Sequence, residues 1–106
     1  MSTALCLVLS LVGAPCESAL CTNGHPVKRS AHISYGGLPP RPNYARDHIV
    51  PLCLGGLDDL SNLQYQPLDE AAIKDAEERS TCRAFCRGEI SLLQAQARFR
   101  DWHPRR

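Results

Sequence analysis

Hydrophobic positions change rhythm several times along the chain, and each change predicts an element. Residues 4–14, Ala-Leu-Cys-Leu-Val-Leu-Ser-Leu-Val-Gly-Ala, are continuously apolar. From Cys21 to Pro42 the chain turns polar, and Gly36-Gly37 and Pro39-Pro40-Arg41-Pro42 interrupt any period, so residues 20–43 read as an irregular arm. Tyr44 to Leu54 is rich in Ile, Val and Leu and reads as a strand with an end or edge at Pro51, which cannot donate to a ladder. Gly55-Gly56 and Asp58-Asp59 form the turn, and Asn62 to Gln66 the second strand, stopped by Pro67. Asp69 then serves as the N-cap of a helix running to about Arg87, with acids in its first turn and Gly88 at its end. A second helix spans Ser91 to Trp102, with Ser91 and Gln94 spaced as a capping box. Leu92, Leu93, Ala95, Phe99 and Trp102 supply its packing face. The expected fold is α+β, with its functional domain over residues 44–103.

Composition makes this domain marginal. A chain of 106 residues with few aromatics gives one small domain whose core needs extra constraint. Its net charge of +1 excludes a strongly basic protein, so binding to nucleic acid would depend on a local patch. The apolar run matches a signal-peptide core and falls short of the roughly 20 residues a membrane-spanning helix needs. Residues 1–19 are therefore expected to direct export, although no Lys or Arg precedes the run; a buried or frayed apolar N-terminus is the alternative.

Export would explain six cysteines in so short a chain. Cys6 lies in the apolar run, and cleavage after Cys16 would leave Cys21, Cys53, Cys82 and Cys86, for which three pairings exist. Cys82 and Cys86 fall on one helix face and are poorly placed to bond each other. Each long-range bond would contribute about 3–5 kcal/mol in the chain-entropy model. A zinc site is the rival, but no Cys-x-x-Cys pair is present.

Candidate chemistry centres on Asp47-His48. Neighbours on a strand face opposite ways, so the two can hold different roles: Asp47 binding a divalent cation, His48 taking a proton from water. Asn62 would bond backbone across the turn, or His48 itself. Lys74 would neutralise a phosphate or form a surface ion pair. Arg79, Arg83 and Arg87 stack into a basic stripe, read either as a solvated face paired with Asp75 and Glu78 or as a phosphate track. Arg46, Arg79 and Arg83 are the candidate nucleic-acid contacts. Asp58 and Asp59 are read as turn residues rather than paired catalytic carboxylates, since no histidine neighbours them in sequence. His25 and His32 are read as exposed loop residues, with accessory phosphate contacts as the alternative, and Trp102 as core rather than a base-stacking platform.

Residues 44–75 resemble the HNH, or His-Me finger, endonucleases, through Asp47-His48-Ile49-Val50-Pro51, Gly55-Gly56, Asn62-Leu63 and Lys74-Asp75. A wider resemblance takes in Cys21-Thr22-Asn23-Gly24, Glu78, Cys86-Arg87-Gly88, Ala95-Gln96 and Asp101-Trp102, and is to small exported bacterial HNH proteins. It implies a ββα-metal core, a single divalent ion with Mg²⁺ ahead of Mn²⁺, and a nucleic-acid substrate, DNA ahead of RNA. It also implies the pairs Cys21–Cys86 and, with it, Cys53–Cys82. One departure stands out. Many HNH proteins place an Asn or His three residues before the helix lysine, where this chain has Ala71. The remaining oxygens would come from Asp75, Asp69, Glu70 or water, and Asp75 is preferred.

The expected protein is a disulfide-stapled, monomeric, exported endonuclease without a membrane span, with His48, Asn62 and Lys74 in catalysis. The rivals are an HNH-like binding module that has lost cleavage and a small disulfide-rich structural protein.

Overall fold

The computed structural model describes residues 20–28 and 32–104, so the expected signal segment lies outside the described residues. Element order is β1 (Cys21–Thr22), β2 (His25–Pro26), β3 (Tyr44–His48), β4 (Leu63–Pro67), α1 (Leu68–Cys86) and α2 (Leu92–Arg100). The fold is α+β, with two antiparallel two-stranded sheets, β1 with β2 and β3 with β4.

The arm is more regular than its composition suggests. Asn23 and Gly24 sit at φ 53° and 77° and turn the chain between β1 and β2. Positive φ at both central residues suits a tight hairpin, and Asn-Gly is the dipeptide that tolerates it best. A short 3₁₀ turn, Tyr35–Gly37, follows.

The β3 strand is shorter than its apolar composition implies. It ends at His48, and Leu52–Leu54 winds into a 3₁₀ turn closed by Gly55 at φ 81°. The register pairs Asp47 with Gln64 and His48 with Leu63. The second strand is displaced by one residue from the expectation, because Asn62 belongs to the 3₁₀ turn Leu60–Asn62.

Helix α1 starts one residue before Asp69. Its N-cap is Pro67, with no side-chain cap bond, and Asp69 and Glu70 lie in the first turn where the helix dipole favours acids. At the other end Arg87 is the C-cap and Gly88, at φ 78°, donates to the Phe85 carbonyl. Helix α2 has the full Ser91/Gln94 capping box and ends at Arg100, short of Trp102.

Leu20, Val50, Leu54, Cys82, Phe85, Ala95 and Phe99 form the core, between the C-terminal half of α1, helix α2 and the loop after β3. Two disulfides tie these parts together: Cys21–Cys86 pins the N-terminal hairpin to the end of α1, and Cys53–Cys82 pins the loop one turn earlier on the helix. With these four cysteines oxidised and none free among the described residues, they offer no thiolate for a zinc site. Trp102 packs half-buried against the core and donates its Nε1–H to Glu77. No helix among the described residues is long and apolar enough to cross a membrane.

Candidate functional site

Strand β3 delivers its last two side chains to opposite sides. Asp47 points toward helix α1 and is 8% exposed. Its Oδ2 accepts from Lys74 Nζ at 2.5 Å and from Gln64, its cross-strand partner, at 2.9 Å. Lys74 is fully buried and also donates to the His48 and Ile49 carbonyls at 2.9 and 3.1 Å. An ammonium has three protons, and these three acceptors take them. Lys74 is therefore neither a surface ion pair nor free to contact a phosphate. It is an anchor that fastens the end of β3 and the Asp47 carboxylate to the helix.

One turn along α1, the Glu78 carboxylate lies 3.6 Å from the same ammonium. Burial pushes Glu78 up to about 7 against the pull of Lys74, and the charges of Asp47 and Asp75 add to the rise. Asp75 stays exposed. Asp47, His48, Asp75 and Glu78, with Pro51, Leu52 and Cys53 as the facing wall, line an open cleft of about 240 Å³.

The His48 side is built differently. His48 Nε2 lies 2.8 Å from Asp58 Oδ1, and the Tyr35 ring stacks on the imidazole with centroids 5.3 Å apart. Asp58 also accepts from the Ser34 and Tyr35 amides at 2.6 and 2.9 Å and from the Ser34 hydroxyl at 2.9 Å. The bond from His48 leads the interactions that hold its carboxyl down at about 2. Asp58 does sit in the bend between β3 and β4, but it is not without a histidine: His48, ten positions earlier in the chain, is its partner. Asp59 does serve the turn, capping the Leu60–Asn62 segment through Ser61.

Asn62 takes the first of its two expected roles. Its amide bridges the turn, accepting from the Val50 amide and donating to the Val50 and Leu57 carbonyls, each at 2.9 Å. It thereby fixes the loop that follows His48 without a bond to the imidazole. Gly56 is essential to the same clamp, because a Cβ there would lie 1.8 Å from the Val50 carbonyl oxygen.

Of the expected basic contacts, Arg46 is spent on the arm, donating to the Leu38 carbonyl at 3.2 Å with its guanidinium 4.1 Å over the Tyr35 ring. Arg79 and Arg83 line a groove of about 650 Å³ that shares Cys53, Asp75 and Glu78 with the cleft, and Lys28 from the arm joins them. Arg87 lies off this stripe, in an ion pair with Glu89 at 2.8 Å.

The sequence by itself assigns no role at the site to Asp58, Tyr35, Gln64 or Lys28, and it offers Glu78 as a partner for arginines and as part of the wider resemblance, without a place in the cleft. Their partners are distant in sequence, and no local motif marks them. Ala71 is buried and brings no donor to the cleft. Among the described residues no three His, Cys, Asp or Glu side chains form a ready-made metal cage.

No family model, curated protein or solved structure matches the chain.

Proposed function

We propose that the protein is a metal-dependent endonuclease of ββα-metal type, hydrolysing phosphodiester bonds in nucleic acid with His48 as general base. The observation that carries this reading is the meeting of one imidazole with the carboxylates of Asp47, Asp75 and Glu78 along a single open cleft at the end of β3. Carboxylate oxygens with no thiolate among them suit a hard divalent cation, Mg²⁺ or Mn²⁺, with water and substrate completing the coordination. Asp47 offers Oδ1, which lies outside its bonds to Lys74 and Gln64, and Asp75 offers an exposed carboxylate. A cation held there would supply Lewis acidity at the scissile phosphate.

His48 accepts the proton of the attacking water within the cleft it shares with Asp47, and the Asn62 clamp keeps the loop after it in place. Lys74 holds Asp47 from behind. Lys28, Arg79 and Arg83, along the adjoining groove, suit the phosphates flanking the cut. The two disulfides suit a protein that works in an oxidising compartment after export.

Purified protein should nick plasmid DNA in Mg²⁺ or Mn²⁺ and lose that activity in chelator. His48→Ala should abolish nicking with its melting temperature preserved. A His48→Ala variant that nicks as well as the parent removes the base assignment.

A second reading, a binding module without cleavage, draws on Ala71, which brings no ligand, and on the hold of Lys74 on Asp47. It predicts salt-sensitive binding to nucleic acid in chelator and no nicking under any divalent ion.

A further inference from the structure

We propose that Asp58 is a positioning residue: clamped by Ser34 and Tyr35 of the N-terminal arm, it holds the His48 imidazole as the Nε2–H tautomer and leaves Nδ1 as the lone-pair nitrogen offered to the cleft. The assignment follows from counting donors. Oδ2 accepts from the Ser34 amide and hydroxyl, while Oδ1 accepts from the Tyr35 amide and faces His48 Nε2 at 2.8 Å. Oδ2 has both lone-pair sites filled, and the three N–H and O–H donors that the arm aims at the carboxyl favour its ionised form, in keeping with its lowered pKa. With no proton on Asp58 to give, the hydrogen between the two side chains belongs to Nε2. Asp58 is not part of the cleft wall whereas His48 is, so Nε2 is committed away from the cleft and Nδ1 is the nitrogen left to act there.

The arm completes the arrangement. Tyr35 sits at φ 53°, a conformation uncommon outside glycine, and this places its amide on Asp58 and its ring on His48. The Arg46 guanidinium also lies 4.1 Å over the Tyr35 ring, and the ring stacks on His48, so the imidazole is held by a stack as well as by a bond. A carboxylate orienting an imidazole is the arrangement by which other hydrolytic sites keep a base in one tautomer. Here the carboxylate is in turn oriented by a segment more than 20 residues away in sequence.

Long-range proton–nitrogen correlation spectra of the labelled full-length protein, recorded at about pH 8 and so above the usual imidazole range, read the tautomer directly. His48 should show a protonated Nε2 and a bare Nδ1, and in Asp58→Ala the two nitrogen shifts should move toward each other as the tautomers mix. Tyr35→Ala, which loosens the arm but keeps the carboxylate and the backbone amide, should retain the parent tautomer. A protonated Nδ1 in the parent, identical shifts in Asp58→Ala, or equal mixing in Tyr35→Ala would each overturn the assignment.

The kinetic consequence rests on the nuclease reading, whereas the tautomer does not. Asp58→Ala should lower kcat roughly 100-fold or more with KM within about two-fold. A loss confined to KM overturns the positioning role. A protein that shows the fixed tautomer but cleaves nothing overturns the nuclease reading and leaves the role of Asp58 standing.

Discussion

The two halves of helix α1 do different work. Toward the β3–β4 hairpin it presents Ala71, Lys74, Asp75 and Glu78, and the fully buried side chain among them, Lys74, is charged. Its second half presents Cys82, Phe85 and Cys86 to the apolar core and carries one end of each disulfide. In a chain this small, stability is concentrated at one end of the helix so that the other end can hold a charged, partly open cleft. A buried ion pair contributes little net stability because desolvation offsets its attraction, so the cleft end draws its rigidity from the stapled end.

The largest test of this division is removal of the staples. Replacing all four cysteines by serine should cost more than any single change, about 4 kcal/mol per bond in the chain-entropy model, enough to unfold a small domain. Denaturant melting of the single-bond and double-bond variants measures it. A double variant that melts like the parent would move the seat of stability to the hairpin.

Next in size is Lys74→Met, which leaves the Asp47 carboxylate buried beside an apolar chain and should cost about 3–5 kcal/mol. Adding Asp47→Asn should recover part of that loss, since the penalty comes from one unpaired charge. Equal melting of the single and double variants would break the view of Lys74 as an anchor.

A smaller effect is expected at Glu78. Its folded carboxyl lies at about 7, above the ordinary 4.5, so the folded state binds its proton more tightly than the unfolded state does. That contribution is fully present below 4.5 and is lost as pH rises through about 7. Melting temperature followed across this window should fall less steeply in Glu78→Gln than in the parent. Identical slopes would show that the cleft end is more open to water than its burial implies.

The smallest shift belongs to the exposed groove. Arg79→Ala with Arg83→Ala should change stability by no more than about 0.5 kcal/mol, as for surface sites without a buried partner. The same pair should flatten the salt dependence of nucleic-acid binding. A large stability loss would mean that these arginines belong to the structural half.

Much of the scaffold was legible because it rests on short-range physics. Ser91 and Gln94 cap α2 across three residues, Gly88 ends α1 because a left-handed turn suits a residue without Cβ, and Pro67 marks the passage from strand to helix. The Asn23-Gly24 hairpin was equally legible as a dipeptide but was masked by the polar composition around it. The strand after Tyr44 looked longer than it is because apolar residues serve a buried 3₁₀ turn as well as a ladder, and composition does not separate the two.

The sequence by itself determined the strand–turn–strand–helix order and set Asp47 and His48 side by side, since both follow from local periodicity and turn chemistry. Which groups meet them was decided by tertiary structure. Lys74 closes on Asp47 across 27 positions, and Asp58 closes on His48 only when the arm folds back to hold it. Such pairings depend on how separate elements pack and on which side chains lose water in the process, and neither is written in any one stretch of chain.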